Sequence, residues 1–297
     1  MDLTPESDQI ALQTATGDWC RTHMPLADAR SRPAGLWRDL EAMGWVGMTA
    51  PGMDLDHATE ALVFAELGRF LAPVALLSSA VAARWTGTSG KVALALPGQD
   101  VTRILDSDGA SQALGLFEAL AASIEIDPVS KTRPSLDLLT SVTHLQAGAP
   151  VAPIADPRAA LHLQLLAAAL AVGCADAARD MAADYAKLRQ QFGRPIGWFQ
   201  ALKHICSDMA VRAAVARSQL YYAACALDAG SVDAAFHIAA AKRLADQAAL
   251  DNGRANIQVH GGIGMTDEAM AHLCLKRAHL LQFIAPAATR ILLTDLL

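Results

Sequence analysis

Beyond Asp156 the chain runs for long stretches almost without glycine or proline, and that feature restricts this half of it to packed helices. Helices are expected at about 157–190, 198–229, 232–259 and 267–283. A last short one should follow Pro286, a residue tolerated in a helix's first turn. Four long helices with short connections make a bundle. Hydrophobic residues are 53% of the chain but aromatics only 5%, so the apolar content is mostly Ala, Leu and Val. Alanine has the best intrinsic helix propensity.

Residues 8–86 also read as helical. Leu36, Leu40 and Met43 fall at helical spacing, and Gly44 supplies a stop. A second helix is expected over about 57–70, with Leu62, Val63, Leu67 and Phe70 on one face and Glu60, Glu66 and Arg69 on the others. From Lys91 the character changes. The short apolar stretches VALAL, VTRIL, SIEID and SVTHLQ are separated by Pro97-Gly98, residues 106–109 and Asp127-Pro128, which are turn signals between strands. The expected architecture is mostly α with a small β middle domain. An N-terminal helical domain covers 1–90, a reduced β domain 91–151, and a C-terminal four-helix bundle 152–297.

A net charge of −6 argues against a nucleic-acid surface. Five scattered cysteines without a CxxC pair fit reduced thiols and give neither a disulfide framework nor a metal set. The N-terminus lacks the basic-then-apolar order of a signal peptide. The most apolar run, 159–175, contains His162 and Gln164 and is followed by Asp176, so it reads as a buried helix and not a membrane span. A cytoplasmic protein with no membrane contact is expected.

Two segments go further. One is Tyr185-Ala-Lys-Leu-Arg189-Gln-Gln-Phe192-Gly193-Arg-Pro195-Ile196-Gly-Trp-Phe199-Gln200; the other is Gln258-Val-His-Gly261-Gly262-Ile-Gly264-Met-Thr-Asp-Glu268. Arg189, near a helix end beside a Gly-Pro turn, can present its fork of donors to a pyrophosphate. Phe192 offers an apolar face. Glycines 261, 262 and 264 suit close backbone approach or positive φ, and the Gln258 amide both donates and accepts. Taken singly, the glycines could form only a helix-to-helix turn, and Arg189 could merely complement a helix C-terminus.

Together, in this order, both segments resemble the acyl-CoA dehydrogenase family. The first carries its Tyr, Arg-x-x-Phe-Gly, Pro-Ile and Phe-Gln, the second its Gln-x-x-Gly-Gly-x-Gly followed by Glu. Leu36-Trp37, Gly44-Trp45 and Glu66-Leu67-Gly68-Arg69 ahead of Pro73 extend the likeness to the N-terminal region. The resemblance implies FAD as cofactor, with Arg189, Phe192 and Gln200 facing one FAD. Gln258, Gly261 and Gly262 would also face an FAD, commonly the one shared across a subunit interface.

The family oxidises an acyl-CoA between Cα and Cβ with a glutamate base, whose pKa rises when it is screened from water. That Glu lies before the last helix or near the start of the first long C-terminal helix. Here those positions hold Ala285 and Leu163. The family's Thr-Glu-Pro and Gly-Ser-Asp signatures are absent between Lys91 and Val151, and its Gly-Gly loop after Pro51 is missing. No catalytic residue is therefore assigned. The pattern resembles the smaller subunits of α2β2 acyl-CoA dehydrogenases of steroid side-chain degradation. It implies a homologous partner carrying the Glu, a bulky acyl-CoA substrate and an electron-transfer acceptor. Two alternatives stay open: a homo-oligomeric flavoprotein with a base relocated to His162, His279 or Glu268, and a flavin-free scaffold subunit.

Overall fold

The computed structural model describes residues 3–53, 55–127, 132–146, 148 and 150–287. Four helices come first: α1 (Ser7–His23), α2 (Leu36–Ala42), α3 (His57–Arg69) and α4 (Ala75–Thr86). Gly44, at φ 76°, stops α2 as its sequence suggests. A sheet follows in the order β5-β6-β2-β1-β3-β4-β7, all antiparallel except β1 with β3. Its strands are β1 (Ala93–Leu96), β2 (Val101–Leu105), β3 (Gln112–Phe117), β4 (Leu120–Glu125), β5 (Arg133–Pro134), β6 (Ser141–Gln146) and β7 (Val151–Pro153). The bundle is α5 (Arg158–Leu188), α6 (Gln200–Asp228), α7 (Ala234–His260) and α8 (Ala271–Leu281). The helix expected after Pro286 lies outside the described residues.

Helix α5 is the axis of the molecule, packed against α3, α6, α7 and α8. It is long and apolar enough to cross a membrane, yet 83% of its most apolar window is buried within the protein, as a bundle's central helix requires. Where α5 crosses α3 there is no space for a side chain. A Cβ on Gly173 would stand 2.0 Å from the Ala65 carbonyl oxygen, and one on Gly68 would stand 2.5 Å from that of Leu170.

Helix α3 corrects the two-faced pattern read from the sequence. Every residue from His57 to Gly68 is buried, Glu60 and Glu66 included, because α1, α5 and α6 surround it. Buried carboxylates need partners. Glu66 has Arg69 at 3.2 Å, and Glu60 has the Nε2 of His162 at 2.6 Å. The N-terminus of α3 is closed by Asp56, whose side chain accepts from the Thr59 N–H, and by Asp228 at the end of α6. The Asp228 carboxylate accepts from the His57 and Ala58 N–H groups, each at 2.9 Å.

Its other end is closed by two arginines. Arg32 donates to the Phe70 and Leu71 carbonyls, and Arg277 of α8 donates to that of Ala72. Arg277 is 1% exposed and binds Asp137, also 1% exposed, through Nε at 2.5 Å. Burial, with Arg277 nearby, pushes the Arg32 pKa down to about 10. Asp106 accepts from the Val74 N–H at the start of α4 and the Ser141 N–H at the start of β6. One buried polar knot thus ties the first helices, the sheet and the bundle.

Candidate functional site

The two motif segments meet at one end of the bundle. Helix α5 stops at Leu188, and Arg189 leaves it in an extended conformation. Gln190–Gln191 and Arg194–Pro195 then pair as a hairpin, β8 and β9. Its two-residue loop is Phe192 and Gly193, at φ 51° and 75°. Both values are left-handed, as a type I′ turn demands. The hairpin holds Phe192 out into solvent, 87% exposed, with its ring edge-on to Phe199 at 6.0 Å. The next helix, α6, opens with Gln200.

Helix α7 ends at His260, whose ring stacks on Tyr185 with centroids 4.1 Å apart. Tyr185 lies one turn before Arg189, and His260 directly precedes Gly261, so this stack joins the segments. Sequence reasoning quoted both residues but did not pair them. The glycines divide by purpose. Gly261 sits at φ 66° and ψ −147°, a region that is essentially glycine's alone. A Cβ on Gly264, in the turn after α7, would meet the His260 side chain and the Ile257 carbonyl oxygen of that helix at 2.9 Å. Gly262 has neither constraint: its φ is ordinary and nothing lies within 4 Å of a built Cβ. Nothing within the described chain requires glycine there. Arg189, Phe192, Gln200, Gln258, Gly261 and Gly262 are all exposed, which leaves the patch accessible to a large ligand or a second chain.

A second feature lies elsewhere. A cavity of about 1260 Å³ opens between the sheet and the bundle, and none of those six residues lines it. Its walls are mostly apolar, from β1, β2, β6, the start of α5, the start of α7 and the end of α8. Leu163 and Ala285, the two positions where the family's glutamate is expected, both face it. Among the described residues two carboxylates reach this cavity, and both are engaged. Asp137 holds Arg277, the Leu139 N–H and the Thr140 hydroxyl. Asp233 accepts from the Ser231 hydroxyl and from His237, and these bonds, Ser231's first, hold its carboxyl below the usual carboxylate range. Neither is placed to act as a base toward a guest.

The relocated-base candidates separate cleanly. His162 is fully buried, its Nε2–H donates to Glu60, and its Nδ1 accepts from the Trp85 indole at 3.1 Å. An indole N–H only donates, so this tautomer is fixed and both ring nitrogens are used. His162 is a packing residue, and Glu268 is exposed away from the cavity lining. Of the three, only His279 faces the cavity. The cavity was not foreseen from the sequence, since its walls come from strands and helices far apart in the chain.

Known proteins share this chain's domains and fold. Residues 6–88 match the acyl-CoA dehydrogenase N-terminal domain and residues 159–285 its C-terminal domain, flanking the sheet. The acyl-CoA dehydrogenase IpdE2 of Mycobacterium tuberculosis is 31% identical over 93% of this chain and 92% of its own length. FadE34 of the same organism is 37% identical over 65% of this chain, which spans only 27% of that longer protein. Among solved structures, a Tcur3481-Tcur3483 steroid acyl-CoA dehydrogenase variant superposes with TM-score 0.76, at 22% identity, over 97% of this chain and 95% of that one. The ChsE4-ChsE5 complex of Mycobacterium tuberculosis gives 0.71 at 19% identity, over 95% and 94%. With both terminal regions matched and a relative similar from end to end, this chain belongs to the acyl-CoA dehydrogenase family.

Proposed function

We propose that this chain is a cytoplasmic subunit of an FAD-dependent acyl-CoA dehydrogenase that completes a flavin site at a subunit interface, while a homologous partner supplies the catalytic glutamate. The observation that carries the reading is the cavity wall, where Leu163 and Ala285 stand in place of the base and both nearby carboxylates are engaged. The exposed patch on the bundle end supports the flavin half. Arg189 would neutralise a pyrophosphate, Gln258 would hydrogen-bond beside it, and Gly261 and Gly262 would let the backbone approach. Phe192 would cover an apolar face of the cofactor, and Gln200 would contact it from the start of α6. FAD, when bound, supplies the hydride acceptor for Cα–Cβ desaturation. The substrate class that fits is a bulky acyl-CoA, such as a steroid side-chain thioester, with electrons leaving to a separate acceptor.

The test is to purify the chain alone and together with a glutamate-bearing family member from the same genome, reading flavin absorbance and native mass. The expected result is flavin retention by the complex, which Arg189→Ala cuts severely. Unchanged flavin content in that variant would sink the assignment. His279, facing the cavity, gives the homo-oligomeric alternative its one specific support. That alternative requires acyl-CoA-dependent flavin reduction by the chain alone, abolished by His279→Gln.

A further inference from the structure

The stack between Tyr185 and His260 is the last rung of a ladder. Asn252, Asn256 and His260 follow one another at four-residue spacing, so they share the face of α7 that meets α5. Asn252 donates to the Ala175 carbonyl oxygen at 3.1 Å, the Asn256 amide reaches the Met181 sulfur at 3.5 Å, and the His260 ring lies 21° from the plane of Tyr185. Both asparagines are fully buried, whereas Tyr185 and His260 are half-buried. The ladder therefore runs from the core outward and ends at the motif patch. The His260 ring is also fixed from its own helix, where its Nδ1–H donates to the Asn256 carbonyl oxygen at 2.9 Å. A carbonyl only accepts, so Nδ1 carries the proton.

Each ring belongs to one arm of the patch. The Arg189 N–H donates to the Tyr185 carbonyl at 2.8 Å, and the Arg189 carbonyl accepts from the Ile196 N–H at 2.8 Å, which closes the base of the hairpin. On the other side His260 leads into Gly261, whose N–H donates to the Gln258 and Ile257 carbonyls, and Gly264 folds back against the His260 side chain. Among the described residues no hydrogen bond or ion pair joins residues 190–195 to residues 261–266, and the side chains of Arg189 and Gln258 have no partner. The stack is thus the tie between two arms whose polar groups stand ready for something else.

We propose that Tyr185 and His260 are positioning residues for the flavin site, their stack holding the Arg189 arm and the Gly261 arm at a fixed separation before the dinucleotide arrives. The inference rests on the reading of this patch as that site. The rings act through the arms they hold: a ligand that meets arms already ordered loses less freedom on binding than one that must order them. The gain is bounded by what the stack itself contributes, which for an aromatic pair is about two- to tenfold in an equilibrium constant.

The experiment titrates FAD into the flavin-stripped complex of this chain with a glutamate-bearing family member, reading flavin fluorescence, and records a melting midpoint for each variant. His260→Ala keeps the Cβ against Gly264 and removes the ring, so it should raise the Kd for FAD by about two- to tenfold. Tyr185→Leu removes the same stack from the other helix and should raise it equally; it carries the test where His260→Ala does not fold. His260→Phe and Tyr185→Phe retain two rings and should bind like the parent. Both losses combined should cost no more than either alone, since they delete one shared contact. Parent-like affinity in the folded single variants, even with a lowered midpoint, overturns the positioning role. So does a hundredfold loss in His260→Ala that His260→Phe fails to rescue, because that marks direct contact with the ligand. In both cases a severe loss in Arg189→Ala leaves the flavin reading standing. Full FAD affinity in Arg189→Ala, or none in the parent complex, overturns that reading and this inference with it.

Discussion

Replacing Arg277 by methionine removes the cation of a fully buried pair while keeping most of the side chain's volume. Asp137 would be left 1% exposed with its charge uncompensated, and the Ala72 carbonyl would lose its donor. Removing one member of a buried pair costs about 3–5 kcal/mol. Unfolding entropy near 60 °C is about 2.1 cal/mol/K per residue, or roughly 0.6 kcal/mol/K for 297 residues, so the melting midpoint should fall by about 5–8 °C. Differential scanning calorimetry measures this directly. The combined Arg277→Met and Asp137→Leu variant should melt no lower than Arg277→Met alone, since the second change removes the stranded charge. Some loss remains, because Asp137 also holds the Leu139 N–H and the Thr140 hydroxyl. If the double variant falls by the full sum of the two single ones, or Arg277→Met melts with the parent, the pair does not couple the bundle to the sheet.

Gly173→Ala should lower the midpoint in the same assay, because about 1–3 kcal/mol of overpacking against Ala65 and Arg69 outweighs roughly 1 kcal/mol gained in helix propensity; an unchanged or higher midpoint would refute the close crossing. Gly262→Ala should melt like the parent yet lower flavin retention in the proposed two-subunit complex, and full retention would remove position 262 from the proposed flavin site. His272 is held below the ordinary histidine value by burial, then by Lys276 and Arg30. The folded protein therefore takes up that proton less readily than the unfolded chain. The stability this contributes is complete above about pH 6.5 and is lost as pH falls through the folded value. Ring NMR should show His272 titrating below 6.5, and a midpoint at or above that would contradict the sign.

The bundle was legible because its helices are continuous alanine-rich runs with few interruptions, and their ends fell within a few residues of expectation. Strand β3 was not. Its sequence, Gln112 to Phe117, contains Gly115, which reads locally as a breaker. Gly115 is there because its parallel neighbour β1 comes so close that a Cβ would stand 2.0 Å from the Ala95 carbonyl oxygen. The burial of Glu60 was equally hidden, since its partner His162 is distant in sequence and only the crossing of α3 and α5 brings them together. At the motif end, family resemblance supplied the six residues, whereas the Tyr185–His260 stack and the type I′ hairpin needed coordinates. The distinction between Gly261, shaped by its own backbone, and Gly262, free of any internal constraint, also needed three dimensions.

The hairpin tip has a consequence for the cell. A phenylalanine presented almost wholly to water, with Leu188 78% and Met265 69% exposed at the same bundle end, gives a newly made copy an adhesive surface. Such copies are natural clients for chaperones and proteases until something covers them. Whatever binds the tip removes chains from that unprotected pool by mass action. If the proposed partner subunit covers the tip, the steady-state amount of this protein should follow that subunit's supply more closely than its own rate of synthesis. Overproducing it alone should enrich inclusion bodies, and matched co-production should restore soluble yield.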